Sequence, residues 1–168
     1  MTLKRKLEII KYLSMAIAHL SGRNFSQINL SLVIGEIQGA LEELGIQTIM
    51  TYPNSDYGSL EIINELKKFK DLAFFKVTKN LPRNIFINLL KNCSCLVGNS
   101  SAGILESPFL KIPVVNIGNR QKGRLNAGNV IFVKHKKDEI KKAIIKSIFN
   151  KKYKQKIKSI KNPYGNGT

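Results

Sequence analysis

The chain is 168 residues long and 43% hydrophobic, with 28 Lys and Arg against 11 Asp and Glu, a formal net charge of +17. That length suits one domain, and so high a hydrophobic content excludes a disordered chain in spite of the charge. No apolar run reaches the roughly 18 residues that a membrane-spanning helix needs. The basic, partly apolar opening is broken by Glu8 and Lys11 with no small-residue cleavage site after it, which argues against a secretory leader.

Cys93 and Cys95 stand one residue apart with no other cysteine to pair with, so a reduced, cytoplasmic protein is expected. Lysine supplies 23 of the 28 basic residues, and 12 of them fall between Lys134 and Lys161, where the only acids are Asp138 and Glu139. That segment holds no Arg for bidentate phosphate or base contacts and few aromatics. It reads as a solvated helical face. A nucleic-acid or membrane partner is therefore not expected, although a basic nucleic-acid-associated protein stays open as an alternative.

In chain order, the first twenty-odd residues fit two patterns. Leu3, Leu7, Ile10, Leu13 and Ile17 suit a helix, while YLSMAIAH (12–19) equally suits a buried strand. From Ser26 to Leu44, Ile28, Leu32, Ile34, Ile37, Leu41 and Leu44 recur at near-helical spacing, and Gly45 caps that helix. IQTIMTY (46–52) predicts a strand closed by the turn PNSDYG (53–58). A helix is predicted over Ser59–Phe69 and a strand at LAFFKV (72–77); Pro82 then opens a short helix to Leu90. CSCLVG (93–98) is the next strand, and GNSSAG (98–103) turns from it into a helix around Ile104–Phe109. IPVVNIG (112–118) and NVIFVKH (129–135) are further strands, joined by NRQKGRLNAG (119–128), and lysine-rich helices fill 137–160. Strands and helices alternate, which predicts an α/β fold: one Rossmann-like parallel sheet with helices on both faces, spanning 1–168 as a single domain.

Ligands of such sheets bind beyond the carboxyl ends of the strands. Of the loops that leave those ends, GNSSAG is the most informative. Gly98 and Gly103 permit a tight turn and close backbone approach, Ser100 and Ser101 supply hydroxyls, and the next helix offers unpaired N–H groups. The result is a phosphate cradle, though it lacks the Gly-Lys-Ser/Thr of a Walker A loop and the GxGxxG spacing of a dinucleotide site; an ordinary serine-capped helix is the alternative. Glu106, a turn further on, suits a ribose diol or a solvent-exposed helix face. Arg120 and Arg124, with Gln121 and Lys122, suit diphosphate or carboxylate recognition or a structural salt bridge.

GNSSAGILESPFLKIPVVNIGNRQKGRLNAGNV (98–130), together with TYPNSDYGS (51–59), LPRNIFINLLKNC (81–93) and NPYGNGT (162–168), resembles the hydrolysing UDP-N-acetylglucosamine 2-epimerases, in the sialic-acid-type branch of sialic-acid and related polysaccharide biosynthesis. The resemblance covers about Leu41–Thr168, with the match over 1–40 uncertain, and corresponds to the second of the family's two Rossmann-like domains in a GT-B arrangement. It implies that UDP is the ligand, held by Gly98, Asn99, Ser100, Ser101 and Gly103 at the diphosphate, by Glu106 at the ribose and by Arg120 from the next loop. The stretch Leu81–Phe86 would border the uracil, with Phe86 as the base contact.

The family's chemistry is elimination followed by hydration. A base removes the proton at sugar C2 as UDP leaves C1, and water adds to the glycal to give N-acetylmannosamine. No cofactor or metal is implied. The family's acid and base carboxylates lie mainly in its N-terminal domain, to which nothing in this chain corresponds, so the chain is expected to bind UDP or a UDP-sugar without turning it over alone. A non-catalytic fragment or the subunit of a split gene, working with a separate N-terminal half or as a homo-oligomer, is the alternative. The family's catalytic His follows the first strand of this domain and precedes Pro or Arg. His19, 34 residues before Pro53 and so at about the family's spacing, is the candidate for it, but it is followed by Leu20 and Ser21 rather than Pro or Arg. UDP-N-acetylglucosamine and diacetylated bacillosamine nucleotides both suit the motifs as substrate.

Overall fold

Short runs of β-branched and aliphatic residues, each too short to make a helix, give six strands among the described residues: β1 (Ser14–Ile17), β2 (Thr48–Thr51), β3 (Phe75–Thr78), β4 (Cys95–Gly98), β5 (Val114–Ile117) and β6 (Val130–Val133). The structure, a computed structural model, describes residues 14–17, 30–52, 59–68, 73–79 and 81–165. The sheet order is β3-β2-β1-β4-β5-β6, and every neighbouring pair is parallel. The helices are α1 (Leu30–Leu44), α2 (Ser59–Lys67), α3 (Arg83–Asn92), α4 (Ala102–Leu105), α5 (Ser107–Leu110), α6 (Lys137–Phe149) and α7 (Lys151–Ser159).

The two-residue period of the central strands divides the core. Cys95 and Val97 of β4 and Val115 and Ile117 of β5 face one layer, while Leu96 and Val114 face the other. The larger layer takes Ile34, Ile37 and Leu41 from α1, Ile62 and Leu66 from α2, and Ile140, Ile144 and Ile148 from α6. Their spacings of three and four residues put each set on one helix face. Burying each Leu or Ile fully stabilises the fold by about 1.5–3 kcal/mol. The smaller layer holds Leu90, Cys93 and Ile112, with Phe86, Leu89 and Leu110 packed against it. This is the predicted Rossmann-like sheet with helices on both faces. Among the described residues no helix is long and apolar enough to cross a membrane.

Charge also ties helix to helix. Glu43 of α1 pairs with Lys137 at 2.7 Å and Lys141 at 2.6 Å on α6, and the Glu36 carboxylate accepts from the Lys137 N–H in the first turn of α6. A carboxylate is favoured there by the helix dipole. Two members of the lysine-rich segment are thus structural partners of α1. Both cysteines are free thiols. Cys93 donates to the Leu90 carbonyl at 3.1 Å, and burial pushes its thiol up to about 12 and that of Cys95 up as well.

One ambiguous stretch takes one of its two expected forms, and one element differs from expectation. The ambiguous opening contains a strand, β1, paired on both sides by β2 and β4, a pairing that local periodicity does not encode. The helix expected around Ile104–Phe109 is two single turns, α4 and α5, meeting at Glu106. Pro108 causes the break, since it has no N–H to donate and its ring crowds the carbonyl four residues back.

Candidate functional site

The chain order along the sheet reverses between β1 and β4, and that is where open α/β sheets form a crevice. Ile17 lies opposite Gly98 in this register, so the loop after β4 leaves the sheet at the crevice. Gly98 has φ 144°, a value that side chains disfavour. Asn99 is buried, and its carbonyl accepts two hydrogen bonds from the loop after β5: Arg120 Nη1 at 3.2 Å and Gln121 Nε2 at 2.9 Å. Ser100 Oγ accepts from the Ala102 N–H at 3.3 Å, so a serine does cap the turn. Ser101 makes no capping bond through its side chain.

Beyond the loop, Glu106 faces Arg83. Its Oε1 is 4.0 Å from Nη1 of Arg83, at the start of α3, which brings the Leu81–Phe86 segment beside the turn after β4. The other oxygen, Oε2, is buried with no hydrogen-bond partner among the described residues. A buried carboxylate oxygen left so carries a cost of roughly 1–3 kcal/mol or more until a donor reaches it. Asn99 Oδ1 and Gln121 Oε1 are buried acceptors in the same condition. The loops after β4 and β5 therefore combine a cation, Arg120, with acceptors suited to hydroxyl donors.

The second loop is shaped by Gly118, whose φ of 80° turns the chain out of β5. A Cβ there would sit 2.7 Å from Nε2 of His135, so the imidazole occupies the space that the glycine leaves. His135 is half-buried, and burial lowers its pKa. Asn116 Nδ2 donates to the Gly118 carbonyl at 3.0 Å and pins the turn. His135 is thereby a packing partner of this loop.

The structure joins Arg120 to Asn99, in the same loop as Gly98, Ser100 and Ser101, with Glu106 further along the chain beside Arg83. Gly103 has a packing role of its own: a Cβ there would lie 2.9 Å from Val114 Cγ1, so the glycine lets α4 approach β5. Phe86 packs partly buried against the smaller core layer. His19 and the PNSDYG turn lie outside the described residues. Gln121, marked in the sequence only as a companion of Arg120 in the polar loop, is 1% exposed and holds the neighbouring loop. Its only signal is its place beside Arg120, directly after a buried strand.

A family model described as UDP-N-acetylglucosamine 2-epimerase matches residues 18–168, starting well before Leu41. A UDP-N,N'-diacetylbacillosamine 2-epimerase (hydrolyzing) of Legionella pneumophila is 37% identical over 131 residues, covering 78% of this chain and 33% of that protein. A GDP/UDP-N,N'-diacetylbacillosamine 2-epimerase (hydrolyzing) of Campylobacter jejuni is 42% identical over 85 residues, covering 49% of this chain and 22% of that protein. The chain thus spans a third or less of the length of these relatives. Among solved structures, the UDP-GlcNAc 2-epimerase of Neisseria meningitidis bound to UDP-GlcNAc superposes with TM-score 0.75 at 15% identity, over 98% of this chain and 46% of that one. The S. aureus MnaA–UDP structure gives 0.72 at 16% identity, over 99% and 44%. At such identities the likeness is one of fold.

Proposed function

The chain belongs to the UDP-N-acetylglucosamine 2-epimerase family, and from that premise we propose that it is the UDP-binding half of a hydrolysing epimerase that converts UDP-N-acetylglucosamine, or a closely related UDP-sugar, to the 2-epimeric free sugar and UDP. In this reading residues 1–168 form one domain of a GT-B-type enzyme that works in the cytoplasm. The observation that carries it is the convergence on the Asn99 carbonyl. It joins the serine loop after β4 to the arginine loop after β5, at the crevice where a nucleotide is held in this class of sheet.

The roles follow from the chemistry of UDP. The diphosphate carries negative charge, for which Arg120 and the backbone of 98–101 are suited. Glu106 Oε2, buried and lacking a donor among the described residues, suits a ribose hydroxyl. Breaking C1–O and C2–H together needs groups on both sides of the sugar. The 168 residues alone would therefore bind UDP without releasing sugar.

Calorimetric titration of the chain with UDP tests this. Binding should be measurable, and Arg120→Ala and Ser101→Ala should each weaken it, Arg120→Ala by about tenfold or more because a charge-assisted bond is lost. A folded chain that shows no heat with millimolar UDP would sink the proposal, and so would release of N-acetylmannosamine by the chain alone sink the half-site reading.

A further inference from the structure

Gln121 is 1% exposed, and its side chain reaches across to another loop, where Nε2 donates to the Asn99 carbonyl at 2.9 Å. Arg120 Nη1 donates to the same oxygen at 3.2 Å. One acceptor with two lone pairs is therefore shared by a charged donor, which an anionic ligand would recruit, and a neutral donor, which it would not.

The consequence lies in the peptide plane. In a trans peptide the C=O and the following N–H point in opposite directions. A donor that holds the Asn99 carbonyl therefore also fixes the direction of the Ser100 N–H, on the far side of the plane from Gln121. Turning this plane over needs only ψ of Asn99 and φ of Ser100 to change, the two soft dihedrals that flank it. If it turned over, a carbonyl oxygen would face the place where an anion is expected, and a favourable N–H contact would become a repulsion.

We propose that Gln121 is a positioning residue for the diphosphate: it clamps the Asn99–Ser100 peptide so that the Ser100 N–H is presented to phosphate oxygens, and it keeps the clamp closed when Arg120 turns to the ligand. Gln121 touches no phosphate in this scheme and acts through Asn99. The inference rests on the UDP-binding reading above and adds a residue to it.

The test titrates UDP and uridine into the wild-type chain, Gln121→Met and Gln121→Glu, the last being of the same size as glutamine but without its amide donor. Thermal midpoints establish that each variant is folded. UDP affinity should fall about tenfold in both variants, the equivalent of one well-placed hydrogen bond. Uridine affinity, read by chemical-shift titration, should stay as in the wild type. The Ser100 amide resonance should shift on UDP addition in the wild type and much less in Gln121→Met. A purely structural role would weaken both ligands together and leave the Ser100 response in proportion to occupancy; that result overturns the inference. Unchanged UDP affinity in both variants overturns it as well, with the UDP site intact. A wild-type chain that binds no UDP overturns the parent reading and this inference with it.

Discussion

At the residue scale, two glycines separate backbone tolerance from packing. Gly103 lies where α4 meets β5, and an added Cβ would fall 2.9 Å from Val114 Cγ1, a stiff, buried, β-branched side chain. Gly35 lies on α1 with nothing within 4 Å of the equivalent position. Gly103→Ala should therefore destabilise the chain by about 1–3 kcal/mol through overpacking. Gly35→Ala should stabilise it by roughly 0.5–1 kcal/mol through helix propensity. Urea unfolding checks the pair: the midpoints should move in opposite directions, and a common direction would show that the contact at Val114 does not govern. Close packing here is a second reason for a glycine that its spacing also marks as part of a candidate phosphate cradle.

At the scale of elements, the contact between α1 and α6 joins a large apolar term to a small, pH-dependent one. Hydrogen bonds from Lys137 and then Lys141 hold the Glu43 carboxyl down at about 2 from its usual 4.5. A carboxyl depressed on folding contributes stability in full above its unfolded value and loses it as the pH falls through the folded one. The advantage of the wild type over Glu43→Gln should be constant at neutral pH and shrink as the pH falls from about 4.5 to about 2. Thermal melts of both proteins across that range would show it. Parallel curves would mean that the pairs are too well screened to count.

The same elements indicate how much was legible in advance. Strands β2 to β6 were marked by local runs of β-forming residues between turn signals, and α1 by its apolar spacing. β1 was ambiguous because what makes it a strand is pairing with β2 and β4, which follow it by dozens of residues. The split of α4 from α5 was signalled by Pro108 but masked by the good helix formers around it. The cross-helix role of Lys137 and Lys141 could not be read from a lysine-rich segment, since their acid partner is about a hundred residues away in sequence. At the site, charged and hydroxyl side chains mark the candidate loops, and Gln121 is picked out only as a neighbour of Arg120, not for its bond to Asn99. Its function is to hold a backbone carbonyl, and no local pattern of side chains encodes that.

At the scale of the whole molecule, the net charge of +17 and the crevice loops offer UDP two different destinations. Ten of the twelve lysines between Lys134 and Lys161 lie outside the Glu43 pairs, and such a face attracts any polyanion through its field, an attraction that salt screens. A built site acts through fixed donors and acceptors instead, at a defined place. The most direct measurement is a chemical-shift map of the isotopically labelled chain titrated with UDP at physiological salt. Shifts clustered at Gly98–Gly103, Glu106 and Gly118–Arg124, with α6 and α7 unmoved, are the predicted result. Shifts confined to the lysines of α6 and α7, or none at millimolar UDP, would contradict a nucleotide site at the crevice.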